Sequence, residues 1–576
     1  MILPLLFFAL FYAYPLATII GISGGAGFVA TLAEARTWRI VGFTFWQAAL
    51  STLATLVVGL PAAYLVGRYR FRGMTLLRAL TAVPFVMPTL VVAAGFNTLV
   101  GERGWLNLAL AKLNLPPLIL TGTLAAIVLA HVFYNTTIVI RLVGDYWSHL
   151  DPRLTQAART LGANPLRAFA AVTLPLLAPA VLAASLLVFM FDFTSFGVIL
   201  ILGGPRFATL ETEIYRQTFA FFNLPAAAAL SILQLACTFG MALLYTRLSS
   251  RITGSALRSP EIARQPLVSM RQRAGAAAIV AVLSVFLLSP LTALAARSVS
   301  RLEANRAERG PAQTGFTFDY YTALFENERG AAFFVTPISA VGNSFRYAAL
   351  TVLLSLTLGI PTAYFLARAD QPPGVSHLRT HAPHLTGLAE FNACRIVNRP
   401  VRCLRRLYEA GLMLPLGTSA VTLGLGFLLA FSRPPFNLRA SPWLIPVAHT
   451  LIAFPFVVRA LLPTWRSIRP QWRQAAATLG ASPAEVWRRI DLPLIGRAAV
   501  VAAAFAFTLS LGEFGATLLI SRPEFPTVPI AIYSYLGKPG ALNFGRALAL
   551  STILMVTSAG AILAIERLRI KGVAEF

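Results

Sequence analysis

Charged residues are scarce in this chain of 576 residues. Asp, Glu, Lys and Arg together make up 12%, whereas soluble proteins carry about 25%. Hydrophobic residues make up 57%, and the mean hydropathy is +0.70. The three cysteines, Cys237, Cys394 and Cys403, are too few for a disulfide scaffold. These shortages exclude a soluble enzyme, a disordered regulator and a disulfide-stabilised domain, and they predict a polytopic membrane protein.

Lysine is also rare, so the net charge of +26 comes almost entirely from arginine. The arginines lie in short clusters between apolar runs, which is typical of loops kept in the cytoplasm. The aromatic signature of RNA-binding domains is missing, and we expect no nucleic-acid partner. Residues 1–20 have no basic segment before their apolar run, which favours a first membrane span over a cleaved signal.

Apolar runs of about 20 residues, long enough to cross a bilayer as helices, recur along the chain. They centre on residues 1–22, 44–67, 79–100, 119–140, 174–202, 226–246, 275–296, 345–367, 411–431, 441–458, 496–520 and 545–565. The sequence therefore predicts an all-α polytopic membrane protein with about twelve transmembrane helices. If the N-terminus is inside, the inner segments hold 31 of the 48 lysines and arginines, which favours both termini in the cytoplasm.

The chain contains two copies of one sequence pattern. Residues 156–175 read QAARTLGANPLRAFAAVTLP, and residues 474–493 read QAAATLGASPAEVWRRIDLP. The same offset of 318 residues pairs His131 with His449, Trp147 with Trp465, Phe196-Gly197 with Phe514-Gly515, and Ile214-Tyr215 with Ile532-Tyr533. Upstream, the offset is 300, which places a net insertion of about 18 residues in the second copy. The repeat predicts two parallel halves of six spans each, with a pathway between them.

In each copy the sequence of one loop predicts two short helices separated by a glycine. We call this loop the elbow (residues 151–175 and 469–493). In the first elbow Asp151 offers an N-cap before a proline, Gly162 ends the helix, and Asn164 precedes the proline of the second helix. One such loop alone would suit an ordinary amphipathic connector. Two loops at identical spacing favour a shared role in docking another protein.

The second elbow repeats this pattern with Gly480 as the break and with Ser482 before Pro483. Ser482 and Glu485 together predict a capping box. The small Ala-Ala pair that each elbow carries would let another protein approach the backbone closely.

The two elbows resemble the EAA loop of the permease subunits of binding-protein-dependent ABC importers. That loop has Glu-Ala-Ala, three residues, Gly, and then about nine residues before an apolar residue and Leu-Pro. The matching positions are Gln156, Ala157, Ala158, Gly162 and Pro175 in the first elbow, and Gln474, Ala475, Ala476, Gly480 and Pro493 in the second. Gln replaces the first Glu in both copies, which removes a charge but keeps length and polarity. The resemblance implies that both elbows dock into an ATPase subunit and transmit its closure to the membrane helices.

The resemblance extends over nearly the whole chain and implies two tandem six-helix permease domains. The expected divisions are 1–30 (first span and start of an outer loop), 31–255 (first permease domain), 256–340 (linker span and outer loop) and 341–570 (second permease domain, with an inner insert at 370–408). A fused double permease resembles the iron(III) and thiamine importer group, as do residues 195–215 and 511–533. LGEFGATLL in the latter stretch also resembles the molybdate and sulfate permeases.

The family resemblance implies partners, because the chain has no G-x-x-x-x-G-K-[ST] nucleotide loop. ATP would be hydrolysed by two copies of a separate ATPase subunit, so we expect this chain to be no enzyme and to bind no cofactor itself. The longest outer segment, about 298–343, is too short for a substrate-binding domain. A separate extracytoplasmic solute-binding protein is therefore implied, together with a location in the inner or plasma membrane of a bacterial or archaeal cell.

Ionisable residues at membrane depth are costly and are functional candidates by default. The candidates for the translocation pathway are Asp192, Ser195, Glu513, His131, Tyr134 and His449. Two alternatives stay open: the carboxylates could be hydrated at helix ends or paired with Arg206 or Arg522, and the histidines could be buried and hydrogen-bonded within the packing.

Two other functional interpretations remain at this point. A secondary transporter with twelve spans would need neither elbow and would use more intramembrane charges. Within the importers, sulfate, molybdate, phosphonate and polyamine are alternatives to iron(III) and thiamine. The insert 370–408 carries three histidines and two cysteines, whose spacing fits no zinc pattern.

Overall fold

Helices make up nearly all of the fold, because lipid offers no hydrogen-bond partner and a helix satisfies its own backbone groups. The structure is a computed structural model. It describes residues 2–249 apart from 103 and 205, 264–301, 315–326, 335–369, and 411–568 apart from 413, 433, 435, 436 and 440. The predicted insert 370–408, with its histidines and cysteines, lies outside the described residues. Within the described part of the chain, no group of three or more His, Cys, Asp or Glu side chains could hold a metal ion.

We refer to residues 2–249 as the first half and to residues 264–568 as the second half. The helices of the first half are α1 Ile2–Phe8, α2 Tyr14–Ser23, α3 Gly25–Ala33, α4 Ala35–Arg68, α5 Met74–Val86, α6 Thr89–Val100, α7 Trp105–Lys112, α8 Leu124–His149, α9 Pro152–Thr160, α10 Pro165–Ala168, α11 Leu174–Phe193, α12 Leu210–Phe219 and α13 Leu224–Ser249. Turns of π-helix occupy Ala9–Ala13, Phe169–Thr173 and Ile199–Gly203.

The second half repeats most of these elements. Its helices are α14 Met270–Ser298, α15 Asp319–Thr322, α16 Pro337–Ala369, α17 Ala420–Ala430, α18 Leu444–Ser467, α19 Pro470–Thr478, α20 Pro483–Val486, α21 Leu492–Gly512, α22 Gly515–Ile520, α23 Val528–Leu536 and α24 Ala541–Leu568, with a π-helical turn at Trp487–Asp491 and 3-10 turns at Ala323–Phe325 and Leu414–Gly417. The described residues also contain two pairs of two-residue strands: β1 Tyr69–Arg70 is parallel to β2 Gln265–Pro266, and β3 Ser300–Arg301 is antiparallel to β4 Gly315–Phe316.

Ten helical segments among the described residues are long and apolar enough to cross a membrane, and a bent pair makes up to eleven. The ten are Ile2–Ser23, Ala35–Arg68, Leu124–His149, Pro165–Phe193, Leu224–Leu248, Met270–Ser298, Pro337–Ala367, Leu444–Ser467, Pro483–Gly512 and Ala541–Ala564. The bent pair is Met74–Val86 with Thr89–Lys112. These segments confirm the predicted all-α polytopic membrane fold.

Two of the predicted spans are not single long helices. The run 79–100 bends by 104° between α5 and α6. Pro88 disfavours the helical conformation for Met87, which is extended at φ −64° and ψ 135°. The run 411–431 contains α17, which has only 11 residues and begins after Ser419, whose hydroxyl accepts from the amides of the first turn.

Two further predicted spans end earlier than their apolar runs. The helix within 174–202 ends at Phe193, and the helix within 496–520 ends at Gly512. In both, the chain leaves the helix at polar residues, Thr194 and Glu513, and then starts another short helical segment. Hydrophobicity continues through both breaks, which is why the sequence predicted longer spans.

The internal repeat is also a repeat of backbone structure. Pro152–Thr160, Pro165–Ala168 and the π-helical turn Phe169–Thr173 recur as Pro470–Thr478, Pro483–Val486 and Trp487–Asp491, each shifted by the same 318 residues. The spans that follow, α11 and α21, begin at the same relative position. Identical element boundaries mean that the two elbows are structurally equivalent.

The first membrane span of each half, Ile2–Ser23 in the first and Met270–Ser298 in the second, packs against helices of the other half. The ring of Phe8 lies 4.9 Å from that of Phe454 in α18, and the hydroxyl of Tyr12 lies 2.7 Å from that of Thr418. In the opposite direction, α14 runs so close to α6 that a Cβ at Gly95 would lie 2.8 Å from the Pro290 carbonyl. The largest hydrophobic cluster of the described residues therefore contains side chains from both halves.

Two glycines related by the repeat permit close helix packing, and we expect them to be sensitive to substitution. A Cβ at Gly59 would lie 2.8 Å from Val139 Cβ, and one at Gly359 would lie 2.7 Å from Val457 Cγ1. We expect Gly59→Ala with Gly359→Ala to destabilise the protein by about 1–3 kcal/mol through overpacking, measured as a lower unfolding temperature in detergent.

The matched control changes two other glycines of the same helices α4 and α16, Gly42→Ala with Gly342→Ala. Neither of these has any atom within 4 Å of the added Cβ, so the control should keep the wild-type unfolding temperature. Equal shifts in the two double variants would contradict the close-packing argument.

Candidate functional sites: the elbows and the buried histidines

The first elbow has the predicted cap and glycine break. The Asp151 carboxylate accepts from the amide of Arg153 at 3.0 Å and starts α9. Gly162 ends this helix at φ +88°, and the next amide, of Ala163, donates to the Ala158 carbonyl at 3.1 Å. This backbone conformation favours glycine because it has no Cβ. The Asn164 side chain then accepts from an amide of α10 at 2.7 Å.

The second elbow has the same geometry. Gly480 has φ +82°, and the Ala481 amide donates to the Ala476 carbonyl at 3.0 Å. The predicted capping box is present, because Ser482 Oγ accepts from the Glu485 amide at 3.3 Å and Glu485 Oε2 accepts from the Ser482 amide at 2.9 Å. The sequence therefore determines both turns locally.

The candidate docking positions lie on this scaffold. Gln156, Ala157, Gly162, Gln474, Ala475 and Gly480 are exposed, Ala158 and Ala476 are half-buried, and Pro175 and Pro493 are exposed in the first turns of α11 and α21. Beside each glycine an apolar side chain points into open space: Leu161 is 89% exposed and Leu479 is 87% exposed. The two leucines occupy equivalent positions in the repeat, so both elbows present the same apolar side chain at their surface.

Side-chain contacts tie each elbow to the start of the next span. In the first elbow Thr155 and Thr173 share a hydrogen bond between their hydroxyls at 3.2 Å. The equivalent positions in the second elbow form an ion pair, with Arg473 Nε donating to Asp491 Oδ1 at 2.9 Å. The same connection is thus made by neutral groups in one half and by charges in the other.

Stacked rings join the elbows to the membrane helices. The ring of Trp147 in α8 stacks on Phe169 at 6.2 Å, and the equivalent Trp465 in α18 stacks on Trp487 at 5.8 Å. Each tryptophan also contacts a tyrosine of another long helix: Tyr64 of α4 lies 5.1 Å from Trp147, and Tyr364 of α16 lies 4.8 Å from Trp465. The elbows are therefore packed against the spans on both sides.

A second pair of sites is buried inside the halves. His131 bridges two hydroxyls, with Nδ1 2.9 Å from Ser51 Oγ and Nε2 2.9 Å from Ser195 Oγ. Its Nδ1 also lies 3.4 Å from Asp192 Oδ1, which accepts from Asn135 Nδ2 at 2.7 Å. His131, Asp192 and Asn135 are all buried.

His449 has the equivalent place in the second half. Its Nδ1 lies 2.7 Å from Ser510 Oγ, and its Nε2 lies 2.8 Å from Thr517 Oγ1 and 3.3 Å from Glu513 Oε2. The Glu513 carboxylate also accepts from the amides of Ala516 and Thr517 at 2.8 and 2.9 Å, and from the Thr517 hydroxyl. Glu513 therefore caps the start of α22.

The repeat exchanges the chemistry of these two sites. Asp192 is equivalent to Ser510, and Ser195 is equivalent to Glu513, so at these two positions each histidine faces one carboxylate and one hydroxyl, in opposite order. The sequence identified the histidines and acids as candidates, but not Ser51 or its counterpart Thr351. The only sequence feature that links these two residues is the 300-residue offset of the repeat.

The remaining pathway candidates are placed as follows. Tyr134 lies on α8 beside His131, half-buried, with its ring 5.8 Å from that of Phe133. Among the described residues, neither Asp192 nor Glu513 pairs with Arg206 or Arg522, and Arg522 lies 3.4 Å from Glu524 instead. Exposure of these side chains to cargo remains a prediction.

Residues 56–254 match the family of binding-protein-dependent transport system inner membrane components. Residues 56–254 thus carry a permease domain of that kind, and over nearly its whole length the chain is similar to curated ABC importer permeases of the fused double-permease type.

Within that class the chain is similar to thiamine permeases. It is 27% identical to the thiamine transport system permease protein of Escherichia coli strain K12 over 515 residues, which cover 88% of this chain and 85% of the relative. It is 28% identical to the protein of the same name in Brucella suis biovar 1 over 539 residues, covering 93% and 88%. A probable ABC transporter permease of Sinorhizobium fredii is 25% identical over 551 residues, covering 94% and 89%.

A solved structure, a bacterial alginate ABC transporter in complex with its alginate pentasaccharide-bound periplasmic protein, also matches. It is 20% identical, with a TM-score of 0.36, covering 44% of this chain and 94% of that chain.

The side-chain pair that ties each elbow to the next span, which we call the elbow joint, is Thr155–Thr173 in the first elbow and Arg473–Asp491 in the second. Replacing the second pair by the first tests whether the two joints are equivalent. Asp491→Thr alone leaves the half-buried Arg473 without its carboxylate and should weaken the joint by about 1–3 kcal/mol. The double variant Arg473→Thr with Asp491→Thr recreates the Thr155–Thr173 pair and should recover most of that loss. Hydrogen exchange of the amides in 470–479 measures the opening free energy.

The matched control is Thr155→Ala with Thr173→Ala, which should open the first elbow and leave 470–479 unchanged. If the double threonine variant exchanges as fast as Asp491→Thr, the two elbows do not use equivalent joints.

Proposed function

We propose that this ABC importer permease is coupled to two copies of a separate ATPase subunit through its two elbows, and that its cargo is thiamine. The observation that carries the first part is the duplicated elbow, with Gly162 and Gly480 in the same left-handed conformation and an exposed leucine beside each. A secondary transporter would need neither feature. The chain itself would form the pathway and catalyse no reaction.

The packing around the elbows supports a coupling role. Each elbow is joined to the start of α11 or α21 by one side-chain pair and is stacked on a tryptophan of α8 or α18. Movement of an elbow by an ATPase would therefore be passed to two spans at once. The excess of arginine in the segments on the elbow side supports a cytoplasmic location for the elbows and both termini.

Glutamine replaces the first Glu of the family pattern in both elbows. This replacement is compatible with a docking contact that is polar but uncharged. Gln156 and Gln474 are both exposed on the elbow surface. An amide can donate and accept hydrogen bonds, so it can keep a polar contact with a partner where the family would have a carboxylate.

Valine at the elbow glycines should uncouple the permease. Neither Gly162 nor Gly480 has an atom within 4 Å of an added Cβ, so within this chain Gly162→Val with Gly480→Val strains the backbone without a clash at Cβ, at a cost of about 1–2 kcal/mol per residue in the left-handed region. We expect loss of ATPase co-purification and of uptake, with normal membrane insertion.

Asparagine tolerates the left-handed conformation, so Gly162→Asn with Gly480→Asn is the matched control and should retain ATPase binding. Wild-type uptake by the double valine variant would contradict coupling through the elbows.

The choice of thiamine is supported by the relatives. The permeases of Escherichia coli and Brucella suis that the chain resembles from end to end are described as thiamine transport proteins. A separate extracytoplasmic binding protein would deliver the cargo, since the family is binding-protein-dependent. Iron(III), sulfate, molybdate, phosphonate and polyamine are the alternative cargoes.

Titration of the cognate binding protein with thiamine and with ferric ion tests the cargo directly. We expect saturable binding of thiamine, no binding of ferric ion, and ATP-dependent thiamine accumulation in vesicles that hold the complete transporter. Ferric-ion binding in place of thiamine would move the chain to the iron importers, and binding of neither would favour an oxyanion or polyamine. The elbow proposal would stand in both cases.

A further inference from the structure

Two phenylalanines related by the internal repeat stack on each other between the halves. Phe196 follows the end of α11, and Phe514 follows the end of α21. Their ring centroids are 5.6 Å apart, their planes differ by 22°, and their exposures are 6% and 3%. In a two-fold arrangement a residue meets its own equivalent only at the axis. The stacked pair therefore marks the axis that relates the two halves.

Two tyrosines, also related by the repeat, enclose this pair. The ring of Tyr215 lies 5.7 Å from Phe196, and the ring of Tyr533 lies 5.4 Å from Phe514. Each half thus contributes one phenylalanine and one tyrosine to a four-ring cluster, which we call the axial aromatic cluster (Phe196, Tyr215, Phe514 and Tyr533).

The helix breaks hold the phenylalanines in place. Ser195, directly before Phe196, contacts His131, and Glu513, directly before Phe514, contacts His449. A Cβ at Gly197 would lie 3.3 Å from Phe514 Cδ1 and 2.6 Å from Thr89 Oγ1. Glycine at this position therefore lets the two breaks approach closely enough for the rings to stack.

We propose that the axial aromatic cluster is a contact site for the transported molecule and favours a flat aromatic cation as cargo. This rests on the proposed function, in which the pathway lies between the halves and the cargo is thiamine, a cation with two aromatic rings. Cargo that moves along the axis must separate the four rings and then lies between their faces. Aromatic faces attract aromatic rings and cations.

The same chemistry disfavours the alternative cargoes. Ferric ion requires several oxygen or nitrogen ligands, and oxyanions require hydrogen-bond donors or positive charge. The cluster offers four ring faces and only two hydroxyl groups.

Two double variants separate closure of the axis from contact with cargo. Phe196→Leu with Phe514→Leu keeps the apolar volume but removes the ring faces, and it should lower the maximal rate of ATP-driven thiamine uptake about tenfold. Phe196→Ala with Phe514→Ala leaves a void on the axis and should raise passive efflux of trapped choline at least about tenfold. Both are measured in vesicles that hold the complete transporter.

The matched control is Phe345→Leu with Phe507→Leu, which changes a ring pair 5.7 Å apart within the second half. It should leave uptake and efflux at wild-type values, and neither leucine variant should alter ATPase association. Unchanged thiamine uptake by Phe196→Leu with Phe514→Leu, or an equal loss in the control, would overturn the contact site.

Wild-type choline efflux from the alanine variant would overturn the placement of the cluster on the pathway. If the wild-type transporter accumulates no thiamine, the proposed cargo fails and the preference for a flat aromatic cation fails with it. The choline measurement still tests the position of the cluster in that case, so the two failures are distinguishable.

Discussion

Interrupted helices inside a membrane need hydrogen-bond partners from the protein, because lipid supplies none. The breaks that follow α11 and α21 meet this requirement through buried side chains. At the first break Gln47 Nε2 donates to the Asp192 carbonyl at 2.8 Å, and at the second His449 contacts the Glu513 carboxylate. Glu513 in addition accepts from two amides at the start of α22. The position of Phe196 and Phe514 on the axis depends on these contacts.

Duplication has preserved geometry more strictly than chemistry. The histidine of each half has a carboxylate and a hydroxyl as neighbours, but Asp192 in the first half corresponds to Ser510 in the second. At the elbow joint a pair of threonines corresponds to an arginine and an aspartate. What both halves retain is a polar side-chain contact between the same two backbone positions. In the elbow pair both members differ between the halves, whereas at the buried sites the histidine is kept and its carboxylate and hydroxyl neighbours exchange places.

The elbows could be predicted from the sequence because their structure is local. Gly162, Asn164 and Ser482 specify a helix end and two helix starts through contacts within four residues of the chain. The bend at Pro88 had a local signal as well, but the apolar run across it continues and concealed the break. The buried network could not be derived in the same way, since Ser51 and His131 lie 80 residues apart. The stacking of Phe196 on Phe514 required the relative position of the halves, which no local pattern contains.

One helix in each half connects the elbow to the axis. Helix α11 begins directly after the first elbow, has 20 residues, and at about 1.5 Å per residue spans about 30 Å. Its far end leads through Ser195 to Phe196, and α21 makes the same connection to Phe514. In the proposed coupling, a tilt imposed at the elbow would be passed along this helix to the phenylalanine that follows its opposite end. Because both elbows are equivalent, simultaneous movement would separate the two rings symmetrically, whereas movement of one elbow would shear the stack. Under the proposed coupling, both elbows would therefore have to move together for the axis to open.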